Sequence, residues 1–393
     1  MNASDRVTIR EERTERSHTS DSLPLIGLRV LDLSRVLAGP LCTMILGDLG
    51  ASVIKVDGPG PGDETRGWGP PFDPQGRSAY YLSVNRNKLG ISLDLDNPTD
   101  LALVRDLIGE ADVVVDNFRA GVLERRGIDP SLVLEARSDL IWCTITGFGQ
   151  STNRPGYDFV VQAEAGWMAI TGTPDGDPMK VGVALADVIA GKDAAIMILA
   201  ARAAAMSRRS PRTAASRRLT VSLAASARGA LVNVAQNALV SRAEATRWGN
   251  AHPNLVPYEL FHASDRAIVI AVGSDVQWAK CARALGLSDL AADPELATNA
   301  GRLAARRTIV TAFAARLATR TAADWQQRLD AVGVPNGVVR SVLEVIRDVD
   351  ASAVSGMPSS VGGSVRLDPP ALDEHGALIR VVGWGAFSQT GRS

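Results

Sequence analysis

GLRVLDLSRVLAGPLCTMILGDLGASVIKVD, residues 27–57, decides the fold class. Residues 27–34 (GLRVLDLS) form a short run rich in Leu and Val that reads as a strand. Residues 40–49 follow with helical character, and Pro40 sits at the first turn, where its missing N–H is one no helix bond would use. Residues 52–57 (SVIKVD) are a second strand. Strand, helix and strand in such close order predict a mostly parallel sheet covered by helices on both faces.

The alternation continues outward from that stretch. A Gly/Pro-rich loop at 58–76 carries Gly62, Asp63, Thr65 and Arg66, and residues 91–95 read as a strand. Asn97-Pro98-Thr99-Asp100 opens a helix to about Gly109, and strands are expected at 112–118 (DVVVDNF) and 140–148 (LIWCTITGF). Apolar spacing suits a helix over 157–169, residues 179–186 read as a buried strand, and 188–206 as a long Ala-rich helix. A basic loop at 207–218 leads into a strand at 219–223 and a helix to about Ser241. The texture then changes: 249–258 (GNAHPNLVPY) is irregular, 259–272 reads as a hairpin, and helices follow near 275–285, 301–318 and 321–332.

The expected organisation is a polar, disordered tail at 1–22, a large Rossmann-like domain beginning with 23–230, a linker helix at 231–248, and a smaller α+β domain at 249–319. Residues 320–393 are expected to return to the large domain. At 393 residues the chain has ample length for two cores.

A net charge of −1 provides no broad basic field for nucleic acid or an anionic membrane. Only five lysines occur, Lys55, Lys88, Lys180, Lys192 and Lys280, so Arg carries nearly all the positive charge. Cys42, Cys143 and Cys281 lie far apart among apolar neighbours, which suits buried thiols in a reducing compartment. No Cys or His spacing resembles a metal site, and no signal peptide or spanning segment is read. The expectation is a soluble cytoplasmic protein with no metal and no redox cofactor.

The first turn, Arg35-Val36-Leu37-Ala38-Gly39-Pro40, is not G-x-G-x-x-G, and Pro40 removes an amide that could face a pyrophosphate, so dinucleotide binding in its usual form is rejected. Neither a G-x-S-x-G elbow nor a G-x-x-x-x-G-K-[ST] loop is present.

Seven stretches in order, from LDLSRVLAGPLCTMILGDLGASVIKVD through PGDETRGWGPPF, NRNKLGISLDL, DNFRAGVLERRGID, ITGFGQ and RPGYDFVVQAEAGWMAITG to KVGVALADVIAGKDAAIMILA, closely resemble the class III coenzyme A transferases. The resemblance resumes with GNAHPNLVPYELF and DPELATNAGRLAARR and spans about residues 23–366. It implies transfer of coenzyme A from an acyl-CoA to a free carboxylic acid through an aspartyl mixed anhydride and an aspartyl-CoA thioester. A covalent intermediate of this kind replaces one hard step by several nearly balanced ones.

By that resemblance the nucleophile is Asp187, which from its own surroundings also suits a helix cap. Arg35, Val36, Ala38, Leu93, Asn117 and Phe118 would line the cofactor, with Arg125 and Arg126 toward its phosphates. Leu37, Tyr157, Asn250 and His252 would line the acyl pocket, and amides of Gly249 and Asn250 are candidates for oxyanion binding. An interlocked homodimer is implied as well.

Departures narrow the substrate. Leu37 stands where formyl-specific members carry Gln, Gly58 where they carry a phosphate-binding Arg, and their glycine-rich covering loop is absent. Formyl-CoA and oxalate therefore fit poorly. The sister activity, α-methylacyl-CoA racemisation, uses a His in a G-H-D motif; here the motif is Gly156-Tyr157-Asp158, and a phenol of ordinary pKa near ~10 is a poor base at neutral pH. A non-catalytic CoA-binding member is the third reading.

Overall fold

The computed structural model describes residues 23–207, 213–347, 356–357 and 359–390. The tail expected at 1–22 and the centre of the basic loop at 207–218 lie outside the described residues.

Six parallel strands form the main sheet: β1 (Arg29–Asp32), β2 (Ser52–Asp57), β3 (Lys88–Ser92), β4 (Val113–Asp116), β5 (Ile141–Thr146) and β6 (Arg218–Ser222). Their order is β3-β2-β1-β4-β5-β6, and every neighbouring pair is parallel. This is the strand order of the Rossmann fold. Ala38–Asp48 forms the first crossover helix, and every one of its residues is buried. Pro98–Glu110 is a helix that begins where Asn97 accepts hydrogen bonds from the Thr99 and Asp100 amides. One core packs Leu31, Ile54, Leu89, Val114 and Trp142 of the strands against Val104, Leu107 and Ile108 of that helix. The C-terminal stretch completes it: Ile379, Trp384 and Phe387 join the same core, and Trp384 Nε1 donates to Leu107 O at 3.1 Å.

A second, antiparallel sheet has the order β7-β8-β9, from β7 (Tyr258–His262), β8 (Ala267–Ala271) and β9 (Asn336–Val338). Its separate core gathers Phe261, Ile268, Ile270, Trp278, Phe313 and Trp325.

The division into compact units runs differently from the expected domain boundaries. One unit takes the described residues within 1–154, 187–222 and 355–393; the other takes those within 155–186 and 223–354. Residues 155–186, read with the large domain, thus pack with the second unit. So do residues beyond 319, because β9 supplies the third strand of the small sheet.

Two readings of single elements are corrected. Residues 179–184 are not a buried strand: they are an irregular segment in which Met179 and Val183 are exposed, and Leu185 and Ala186 already belong to a helix. β3 begins three residues earlier than the expected 91, since Lys88 is fully buried and its charge disguises the start of the strand.

Candidate active site at the switch point of the sheet

β1 and β4 lie side by side, and the chain leaves them toward opposite edges of the sheet. Open α/β sheets bind ligands in the crevice beyond the carboxyl ends of such a strand pair. Residues 33–37 emerge there from β1, and Asn117 and Phe118 emerge from β4.

Side chains fix the β1 turn from several directions. Asn117 Oδ1 accepts from the Arg35 amide at 3.0 Å, and its Nδ2 donates to Arg35 O at 2.7 Å. The Arg35 guanidinium lies 5.8 Å from the centre of the Phe118 ring. Val36 has φ 72°, a left-handed conformation unusual for a β-branched residue. Its amide donates to Asp63 Oδ2 at 3.2 Å. Asp63 also accepts from the Thr65 amide at 3.0 Å, from Thr65 Oγ1 at 2.8 Å and from Lys55 Nζ at 3.1 Å, while Lys55 reaches back to Ser34 O at 3.0 Å. Gly39 belongs to the same turn because a Cβ there would overlap the Ser34 side chain.

Beneath the turn lies a network of buried charges. Lys88 Nζ contacts Asp32 Oδ2, Pro40 O and Asn85 Oδ1, each at 2.9 Å. Burial alone would raise the Asp32 pKa, but Lys88 and Lys55 outweigh it and hold the carboxyl at about 2. Burial pulls Lys88 down to about 8 against the pull of Asp32. Burial also opposes charge on Lys55, yet Asp32, Asp57 and Asp63 together raise its pKa. Under β4, burial raises the pKa of Asp116, which accepts from Trp142 Nε1 and Thr144 Oγ1 at 2.7 Å and from the Phe118 amide at 3.0 Å.

The start of the Ala38–Asp48 helix has neither a side-chain cap at Leu37 nor an acid in its first turn. Its positive end is therefore left to attract an anion.

Asp187 lies in the first turn of the 22-residue helix Leu185–Met206. Residues four apart share a helix face, so Gly191 shares that of Asp187. A Cβ on Gly191 would stand 2.6 Å from Ala38 O and 3.4 Å from Leu41 Cβ. The helix face that carries Asp187 thus rests on the opening turn of the Ala38–Asp48 helix. Asp187 is half-buried.

Comparison with known proteins gives this geometry its context. The model of the family described as "CoA-transferase family III" matches residues 25–364. The chain belongs to the family III CoA-transferases. A mouse succinyl-CoA:glutarate CoA-transferase is 38% identical over 355 residues, covering 89% of this chain and 80% of the relative. A succinate–glutarate CoA-transferase of Agrobacterium fabrum is 39% identical over 338 residues, covering 84% of this chain and 83% of the relative. The crystal structure of a CAIB/BAIF family protein from Brucella suis is 38% identical, with TM-score 0.80, and the match covers 91% of this chain and 98% of that one.

The transferase gathers Arg35, Val36, Leu37, Ala38, Asn117 and Phe118 at the switch point. Leu93 is placed otherwise: at 1% exposure its side chain belongs to the core. Arg126 makes two bonds to the Asp96 carboxylate, at 2.9 and 3.0 Å, whereas Arg125 is exposed. In the second unit Tyr157 and Asn250 are exposed. The His252 ring packs 5.1 Å from that of Tyr258 and its Nδ1 accepts from the Asn254 amide at 3.0 Å. The Gly249 amide donates to Gly172 O at 3.1 Å, so it is already engaged and makes a poor oxyanion donor.

Sequence reasoning missed the supports of the turn: Asp32, Lys55 and Lys88 as an ionic network, and Asp63 as its link to Val36. The signal was present as charges inside apolar strand runs, RVLD and SVIKVD. Such charges are buried only when paired. Among the described residues, no group of three or more His, Cys, Asp or Glu is placed to hold a metal, and no helix is long and apolar enough to cross a membrane.

Proposed function

We propose that this transferase moves coenzyme A from a dicarboxylyl-CoA, with succinyl-CoA as the donor to try first, to a free dicarboxylate such as glutarate. Asp187 is the nucleophile. The observation that carries this reading is the placement of Asp187 at the head of a helix whose face lies on the switch-point turn. The substrate class comes from the relatives, whose names pair succinate with glutarate.

The chemistry needs no proton carrier. An Asp187 carboxylate oxygen attacks the thioester carbonyl; the C–S bond breaks, and CoA leaves as thiolate. The thiolate attacks the aspartyl carbonyl of the resulting anhydride, freeing the first carboxylate and leaving an aspartyl-CoA thioester. The acceptor carboxylate attacks that thioester, and the released thiolate then takes the acceptor acyl group, returning Asp187 as carboxylate. A helix N-terminus favours the anionic carboxylate at the start and end of each cycle. The turn at 35–38, with Asn117 and Phe118, holds the cofactor, and exposed Arg125 suits its phosphates through a forked pair of hydrogen bonds.

A homodimer is part of the reading. Among the described residues, helix Val232–Ser241 buries none of its side chains, and Val232, Leu239 and Val240 are at least 70% exposed. Ile196 on the Asp187 helix is 63% exposed. Apolar helix surface of this extent is suited to a second copy of the chain.

One experiment tests both parts. Enzyme incubated with succinyl-CoA is divided: one portion is quenched with hydroxylamine and digested, and native mass spectrometry is run on the other, left intact. The expected results are a hydroxamate at Asp187, its loss with Asp187→Ala, and a two-chain native mass. Exchange activity surviving Asp187→Ala, or wild-type turnover without any label on that peptide, rules out the nucleophile.

A further inference from the structure

We propose that Asp158 and Gln162 form a brace that positions Asp187 for attack, an inference that rests on the reading of Asp187 as nucleophile. Helix Leu185–Met206 brings no cap of its own, since Val183 and Ala184 precede it and neither side chain accepts a hydrogen bond. The first amides of a helix have no partner within it. One of them, the Ala186 amide, donates instead to Asp158 Oδ1 at 2.7 Å. Ala186 immediately precedes Asp187, so the capping bond falls on the residue before the nucleophile.

Gln162 extends the grip. Asp158 and Gln162 stand four residues apart in the short helix Asp158–Glu164, hence on one face, and both are buried, at 9% and 0% exposure. Gln162 Nε2 donates to Asp158 Oδ2 at 2.6 Å and to Val183 O at 3.3 Å, while its Oε1 accepts from the Val181 amide at 2.8 Å. Two side chains thus tie residues 181, 183 and 186 of the segment leading to Asp187. That segment has no ladder to hold it, being irregular with Val183 exposed. Without the brace, the first turn of the helix is the natural place for the chain to fray. A displacement of about 1 Å at a reacting group can cost about a hundredfold in rate.

The bond pattern dictates the test. After Asp158→Asn the new side-chain NH2 faces the Gln162 NH2, donor against donor, and turning Gln162 over only moves the conflict to the Val181 amide. Adding Gln162→Glu restores an acceptor to both neighbours. The expectation is that Asp158→Asn lowers kcat about a hundredfold and the single-turnover rate of Asp187 labelling by the same factor. KM for the acyl-CoA stays within about threefold, because the change falls on the chemical step. Combined with Gln162→Glu it regains at least about tenfold of the lost kcat. Gln162→Leu, which keeps the cap and frees 181–183, loses about tenfold in kcat with KM again little changed. If Asp158→Asn does not fold, the double variant and Gln162→Leu decide. Wild-type labelling rates in Asp158→Asn or Gln162→Leu overturn the brace, as does a double variant no faster than Asp158→Asn at equal melting temperature. Those outcomes leave Asp187 untouched as nucleophile when Asp187→Ala is inactive; an active Asp187→Ala removes the nucleophile itself.

Discussion

Val36 holds a conformation that costs a β-branched residue about 1–3 kcal/mol. Such strain persists only where neighbours over-determine it, and here Asp63 grips the Val36 amide while Asn117 takes both the amide and the carbonyl of Arg35. Asn117 is partly exposed and carries no charge, so its removal disturbs the turn and spares the ionic network beneath. Each lost bond weighs about 0.5–1.5 kcal/mol. Asn117→Ala is therefore expected to weaken CoA binding about tenfold, measured by calorimetry, with a melting temperature close to wild type. Unchanged affinity would mean that the turn does not shape the cofactor site. Of the residues at this crevice, the family resemblance pointed to Arg35, Val36, Asn117 and Phe118; the last two were read into a strand at 112–118, but β4 ends at Asp116 and both lie beyond it. Leu93 belongs to the core instead, because the end of β3 faces the helical layer.

At the scale of elements, the Asp187 helix is held where Gly191 meets Ala38 O, a contact with backbone that has no flexible end to move aside. Gly191→Ala must lift the helix or shift the turn, so it is expected to cost about 1–3 kcal/mol and to lower kcat. Gly109, in the helix Pro98–Glu110, has nothing within 4 Å of an added Cβ. There the change to Ala is expected to stabilise by about 0.5–1 kcal/mol through the unfolded chain, with activity unchanged. Urea titration and kcat on the two variants check the contrast, and equal effects would remove the close approach as its cause. Elements whose signal lies in their own residues were legible: β2 was read at its observed limits, and Asn97 marked its helix by capping chemistry. Residues 179–186 misled because an apolar run imitates a strand, while its side chains are partly exposed and its backbone bonds go to Thr171, Asp158 and Gln162. β9 was invisible, since three residues of Asn-Gly-Val carry no pattern until β8 pairs with them.

The buried ions act on the whole molecule, because they join β1, β2, β3 and the loop of Asp63 through Asp32, Lys55 and Lys88. Asp32 binds its proton at about 2 when folded, against an ordinary 3.8, and the Asp63 carboxyl is also lowered. For a carboxyl lowered on folding, the unfolded chain takes up protons first as pH falls; the stabilisation is complete above the unfolded value and is lost on descent through the folded one. Asp116 and Glu259, whose values are raised by burial, act in the opposite sense. The cluster and these two groups thus oppose one another, and the variant isolates the first contribution. Asp32→Asn leaves Lys88 without its buried partner, so at pH ~7 it is expected to cost about 3–5 kcal/mol. That deficit must shrink as pH falls from about 4 toward 2, because wild type then loses the same charge by protonation. Urea unfolding of both proteins at pH ~4 and ~2, where Lys88 is charged in both, measures the two differences. A deficit that stays constant would show that Asp32 stabilises the sheet through its hydrogen bonds to Ser34 and Thr43, and that its charge contributes little.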